Sequence, residues 1–450
     1  MNHASITFQT EDFDQWLSLD QVKLIDQDFL AYVKFGHLDL YQKLHQYRLG
    51  QADFTETALS IFLIELAQAL ESYVIDVFQI ERSIDKLDTE LQQAMRVARF
   101  KQSLVPSPKG LTESIQGLQS WSDDLRASLQ ACCPYKSGCD SQEEQWLRWG
   151  EWVGSQGPDH PLAPKLSYWY HTHQRLGSEN PHRDWSLFQQ AKRLDYTRLI
   201  ETEFVSDDVR QMPRDHWRQR QGFELTDNGM SQEDISYQLN YCVECHTKQT
   251  DYCRSGFFKK KKERNQGFKS NPLGEDLEGC PLDQRISEMN WLKRRRFPIA
   301  ALAMIMRDNP LCPLTGHRIC NDCMKSCIYQ KQEPVDIPQI ETAVLKDVLS
   351  LEWGAEIYDL LVRWNPLRSE QYASKPYQYK KVLIMGMGPA GLTMAHHLLM
   401  EGCAVVGMDG LKVEPLDHLK QPIRYFDQLK VSLDQRQSTG LGGVVEYGIT

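Results

Sequence analysis

Eight of the twelve cysteines lie between Cys242 and Cys327, and the need to bring those thiols together constrains the fold more than any other feature. They occur as Cys242-Val-Glu-Cys245 with Cys253, then Cys280-Pro281, then Cys312, then Cys320-Asn-Asp-Cys323-Met-Lys-Ser-Cys327. A glycine turn, Gly386-Met-Gly388-Pro389-Ala390-Gly391, follows downstream. Thiolates can hold iron and sulfur, and a glycine turn between a strand and a helix can hold a dinucleotide. In this order the two motifs describe an electron-transfer flavoprotein.

Composition narrows the alternatives. A chain of 450 residues has room for two to four domains at roughly 100 to 200 residues each. The net charge of −10 and a pI near 5.8 argue against a general nucleic-acid or membrane-surface role, because both need a basic face. The start Met1-Asn-His-Ala-Ser-Ile lacks the basic and apolar regions of an export signal, and the apolar run from Ile61 to Ile64 is stopped by Glu65. The expectation is a cytoplasmic protein with no nucleic-acid or membrane partner. Cytoplasmic thiols stay reduced, so the cysteines read as ligands rather than disulfides.

Residues 1–225 read as a helical domain whose function the sequence does not reveal. Leu59, Phe62, Leu63, Leu66, Leu70, Tyr73, Val74 and Val77 recur at helical spacing behind the capping residue Thr55. Seven of the eleven tryptophans lie between Trp121 and Trp217, among prolines that mark turns between shorter helices. His171 and His173 would share a face only on a strand, and the aromatic residues Tyr168, Trp169 and Tyr170 favour a packed segment there. Cys132, Cys133 and Cys139 lack a second chelating pair and read as a surface loop.

Residues 226–375 form the cysteine module. Ser231, with Asp234 three residues on, has the form of a helix cap, and that helix would deliver Cys242 at its end. Short helices are expected around Ile286, Met289, Trp291 and Leu292, and again from Pro298 through Ile305, ending at Asn309-Pro310. The module has enough thiols for two cubane clusters. A zinc ion bound by Cys242, Cys245, Cys320 and Cys323 is the competing reading, within a non-enzymatic interaction protein. The Lys259–Lys262 run reads first as a solvated loop and second as a dock for an acidic electron partner.

Residues 376–450 begin with the strand Lys381 to Met385, then the glycine turn, the helix from Leu392 to Met400 and a second strand, Ala404 to Met408, ending at Asp409. In such a βαβ unit Gly386 permits the tight turn, Gly388 the approach of a pyrophosphate and Gly391 close packing of helix on strand, while Asp409 suits the ribose hydroxyls. The pattern alone does not separate FAD from NAD. No paired-carboxylate or Ser-His-Asp arrangement stands out.

The cysteine segments, with Gly279-Cys-Pro-Leu282, Thr315-Gly-His-Arg-Ile-Cys320 and Val335-Asp-Ile-Pro-Gln-Ile-Glu341, resemble the iron–sulfur domain shared by the glutamate synthase small subunit and dihydropyrimidine dehydrogenase. The resemblance runs from about Tyr241 to the end of the chain. It implies a helical domain with two [4Fe–4S] clusters, one held by Cys242, Cys245, Cys253 and Cys327, the other by Cys280, Cys320, Cys323 and Glu341. Cys312 is a competing ligand for the second cluster. This chain departs from the family pattern in its lysine-bearing insertion before Cys280 and its short Cys320-to-Cys323 spacing.

The same resemblance makes Gly386, Gly388, Pro389, Ala390, Gly391 and Asp409 an FAD site, joined by Gly442 and Gly443 near the end. It implies an oxidoreductase passing electrons between FAD and the clusters, with NADPH entering only in a complete enzyme or through a partner. A protein acceptor resembling a glutamate synthase large subunit would follow. With no second glycine motif after Asp409, the chain reads as a truncated member of such a family, or as an inactive product. The expected fold is mostly α: a helical N-terminal region and a helical iron–sulfur domain, followed by a partial α/β Rossmann-like unit.

Overall fold

The computed structural model describes residues 4–8, 18–103, 115–133, 141–157, 159–189, 191–217, 229–248, 250–260, 264–370 and 374–410. The chain is mostly helical and divides into two compact units, each drawn from separated stretches. One contains residues 1–87, 193–230 and 241–450, and the other residues 88–192 and 231–240.

In the first unit, the helix Glu56–Phe78 starts where the Thr55 hydroxyl accepts from the Ala58 N–H at 3.2 Å. The cap satisfies one of the amide donors that a helix leaves unpaired at its start. Phe62, Leu63, Leu66, Leu70, Tyr73, Val74 and Val77 are all buried, and Leu59 is partly buried. By length and composition alone this helix is apolar enough to cross a membrane. Its burial on several sides makes it the core helix of the unit, packed against Pro298–Met306, every residue of which is buried. Pro298 opens that second helix at a position where a missing N–H costs nothing.

The helix Leu19–Gly36 completes this core from the N-terminal side. Its Asp26 accepts both guanidinium N–H groups of Arg48 at 2.7 and 2.8 Å and the indole N–H of Trp364 at 2.8 Å. Phe29 meets the Trp364 ring edge-on at 5.4 Å. The N-terminal helices and the helices that follow the cysteines therefore share one core, which also includes Ile286–Arg294, Ile337–Leu349 and Gly354–Arg363. The two central helices of the cysteine segment form where helical spacing placed them.

Near the end of the described chain, strands Lys381–Met385 and Ala404–Met408 pair in parallel around the helix Pro389–Met400. Gly386 adopts φ +93°, and a Cβ on Gly391 would lie 1.9 Å from the Gly386 carbonyl. Both glycines are thus required by the turn itself. This is a βαβ unit with a two-stranded sheet, and the described residues do not contain a complete Rossmann fold. Gly442 and Gly443 lie outside the described residues.

The second unit is a helical bundle with an aromatic core. Trp146 and Trp169 stack at 3.8 Å, and Trp149, Tyr170 and Phe188 surround them. Gly150 leaves room for the Phe100 ring, since a Cβ there would lie 1.9 Å from it. His171 and His173 fall on the helix Ala163–Leu176, where residues two apart do not share a face. His173 is buried, its Nδ1 bonded to the Trp169 carbonyl at 2.9 Å, as a packing residue would be. Cys132 closes the helix Ile115–Cys132, Cys133 is buried, and Cys139 lies outside the described residues.

Candidate functional site

The helix Gln232–Tyr241 is capped by Ser231, whose hydroxyl accepts from the Asp234 N–H at 3.1 Å, and it hands the chain directly to Cys242. Glu244, inside the Cys242–Cys245 turn, adopts φ +51°, which turns the backbone back on itself. Cys253 lies on the single helical turn Tyr252–Ser255. The next cysteine segment is brought against it by backbone hydrogen bonds: the Cys280 N–H reaches the Cys253 carbonyl at 2.8 Å and the Arg254 carbonyl at 3.1 Å.

Two glycines make this crossing possible. Gly256 and Gly279 have φ +76° and +87°, and Cβ atoms on them would lie 2.4 Å and 2.5 Å from backbone oxygens of the opposing segment. A third strand of chain joins through Ser326, whose buried hydroxyl accepts from the Gly279 N–H at 2.9 Å and so positions its neighbour Cys327.

The thiols act on one another across these segments, and Cys253 feels both Cys327 and Cys323. Cys327 raises the pKa of Cys242, Cys245 and Cys253, while Cys253 lowers that of Cys327. Cys323 feels Cys280 and Cys320, Cys280 feels Cys320, and all three feel Glu341. Cys312 is buried and feels Glu341 as well.

Electrostatics distinguishes the members. The hydrogen bond from Cys253 pulls the Cys327 thiol down in pKa, with further backbone donors at Tyr329, Val335 and Ile328, against burial. Burial pushes Cys245 up to about 12 and raises Cys242, although Cys242 also receives the Asn290 side-chain amide at 3.4 Å. Burial likewise raises Glu341 to about 7, opposed by the Asn309 amide at 3.2 Å. Backbone N–H donors also reach Cys242, Cys245, Cys280, Cys320 and Cys323. Such donors stabilise sulfur that carries negative charge, bound or free.

Among the described residues, no three His, Cys, Asp or Glu side chains form a ready site for a metal ion. The expectation of a metal-binding group is corrected accordingly. Thiolates on one zinc must lie close, at Zn–S distances of about 2.3 Å, and this fold has not drawn them in to that extent.

In the glycine turn, the Asp409 carboxylate accepts from the Met387 N–H at 2.6 Å, holding the end of the second strand to the turn. Gly388 has nothing within 4 Å of where a Cβ would stand, so its face of the turn is open. Pro389 and Ala390 form the first turn of the helix. No sequence signal marks the buried charges that follow Cys280: Arg285, just before the helix Ile286–Arg294, and Glu288 within it are 3% and 1% exposed. Their polar character at helical spacing predicts an outward face, which tertiary packing has overridden.

Residues 10–79 match a family described as the RP005 N-terminal alpha-helical domain. The chain is also similar to two proteins of Rickettsia prowazekii (strain Madrid E). It is 48% identical to the uncharacterized protein RP006 over 137 residues, which is 30% of this chain and 19% of that protein. It is 21% identical to the uncharacterized protein RP005 over 299 residues, which is 63% of this chain and 96% of that protein.

None of these descriptions names an oxidoreductase, a flavoprotein or an iron–sulfur protein. Kinship with the glutamate synthase small subunit and dihydropyrimidine dehydrogenase is therefore corrected, and so are the class terms that rested on it. The physical reason is that short cysteine and glycine motifs follow from local chemistry and recur on unrelated chains. The family that does match lies at the N-terminus, where the cysteine motifs have no counterpart.

Proposed function

We propose that this chain carries electrons, with an iron–sulfur cluster at each of the two thiol groups and an FAD site beginning at the βαβ unit. The observation that carries the reading is the convergence of the cysteine segments, with the Cys280 N–H on the Cys253 carbonyl at 2.8 Å and Ser326, beside Cys327, accepting from the Gly279 N–H at 2.9 Å; the sets we assign are Cys242, Cys245, Cys253 and Cys327, and Cys280, Cys320, Cys323 and Glu341. The donor chemistry fits: one set is four thiols, the other three thiols and a carboxyl, and backbone N–H groups already point at most of the sulfurs. A cubane spreads its ligands over four irons, so it accepts a wider ring of thiols than a single ion does. When bound, such a cluster supplies one-electron transfer.

The residues of the chain do the positioning. Gly256 and Gly279 let the Cys253 and Cys280 segments touch, so the two groups lie on directly hydrogen-bonded stretches of backbone. The open face at Gly388 and the tight turn at Gly386 suit the approach of a dinucleotide pyrophosphate, the Rossmann-like role in which FAD would be held. A protein acceptor would complete the circuit. The test is electron paramagnetic resonance of the full chain, purified without oxygen and reduced. The reading requires two cluster signals, with Cys253→Ser and Cys323→Ser each abolishing a different one and Cys312→Ser sparing both. A chain with no such signals, or variants that leave both intact, would overturn it.

A further inference from the structure

Beside the first thiol group, a cavity of about 650 Å³ opens between the end of the helix that begins at Glu56 and the segments flanking Cys245 and Cys253. That volume is in the range of small-molecule sites. We infer that this cavity binds a small metabolite with an oxyanion at one end and a hydroxyl or ammonium donor at the other.

The outer edge of the cavity provides the charge. Lys248, Lys259 and Lys269 line it and are exposed, and none has an ion-pair partner among the described residues. The carboxylates of the same cavity are differently placed. Glu56 meets Arg254 at 2.6 Å and Arg285 at 3.1 Å, and Asp283 meets Arg254 at 2.6 Å. Arg285 also meets Glu288 at 3.5 Å, and Asp251 is a fourth carboxylate of the wall, so the positive charge is concentrated at the lysine-bearing outer edge and the negative charge inside. An edge of one sign draws ligand groups of the other to it.

The interior supplies the second half of the recognition. Glu288 is 1% exposed; its Oε1 accepts from the Ser60 hydroxyl at 2.6 Å, and its Oε2 has no hydrogen-bond partner. Arg285, 3% exposed, has an unpartnered Nε, and Asp251 Oδ2 is likewise unpartnered. Arg254 Nε is unpartnered too; a buried polar atom without a partner is costly, and here two acceptors and two donors belong to residues lining one cavity. A ligand hydroxyl or ammonium would donate to Glu288 Oε2 while its anionic group meets the lysines. Tyr252 and Phe257, stacked at 4.0 Å, form a rigid apolar part of the wall.

The site does not depend on what the thiols hold. Isothermal titration of the full chain with glycerol 3-phosphate and, separately, with L-malate tests it and distinguishes phosphate from carboxylate as the oxyanion. Saturable binding of at least one is expected, weakened about tenfold or more in Lys248→Ala/Lys259→Ala/Lys269→Ala, since each lysine contributes a nearby opposite charge. The control Lys23→Ala/Lys43→Ala/Lys375→Ala removes the same charge elsewhere and is expected to bind as the parent does. Absence of saturable binding of both ligands to millimolar concentration, or equal weakening by the two triple variants, overturns the proposal.

Discussion

Glu71 lies in the middle of the core helix Glu56–Phe78, 4% exposed, with its carboxylate accepting from the Ala300 N–H at 2.8 Å. Burial raises its pKa from 4.5 to about 8, only partly opposed by the Ala300 and Ile299 amides. The folded protein therefore holds a proton on Glu71 that the unfolded chain has already released between those two pH values. Where the folded state binds more protons, stability falls as pH rises. The slope is about 1.4 kcal/mol per pH unit across that window, or at most about 5 kcal/mol in total, with the loss complete above pH 8. Glu71→Gln keeps an acceptor for Ala300 and removes the ionisation. Urea unfolding followed by tryptophan fluorescence, with hydrogen exchange of Pro298–Met306 as a local readout, should show the variant and parent close at pH 5 and the variant several kcal/mol more stable at pH 9. Parallel pH profiles for the two proteins would falsify the reasoning.

Three further outcomes follow from packing. Gly279→Ala forces a Cβ against the Arg254 carbonyl at φ +87°, and should destabilise the first unit by more than about 1 kcal/mol in the same urea assay. Lys293→Met removes the cation of the buried pair with Asp347 and should cost roughly 3 to 5 kcal/mol, much of it recovered in Lys293→Met/Asp347→Leu. Trp146→Ala removes one ring of the stack with Trp169 and should cost about 3 to 5 kcal/mol in the second unit, read by thermal unfolding.

The local structure was legible in the sequence wherever one residue or one period decides it. Thr55 and Ser231 cap helices as hydroxyl residues ahead of acidic or apolar runs do, and Pro298 opens the helix it was expected to open. The convergence of the cysteine segments was not legible locally, because it runs through crossings at Gly256, Gly279 and Ser326 that no local pattern encodes. For the same reason the second unit was hidden: it joins residues 231–240 to residues 88–192 across a long separation in sequence. His171 and His173 took the period of their aromatic neighbours and became helical. Motif order pointed to a family that the comparisons do not support, since motifs report chemistry and do not by themselves report descent.

The measurement closest to the central claim is iron and acid-labile sulfide analysis of the full chain purified without oxygen, alongside its visible spectrum. Two cubane clusters require about eight irons and eight sulfides per chain with broad brown absorption. A colourless protein with neither iron nor sulfide, still folded by circular dichroism, would contradict the claim.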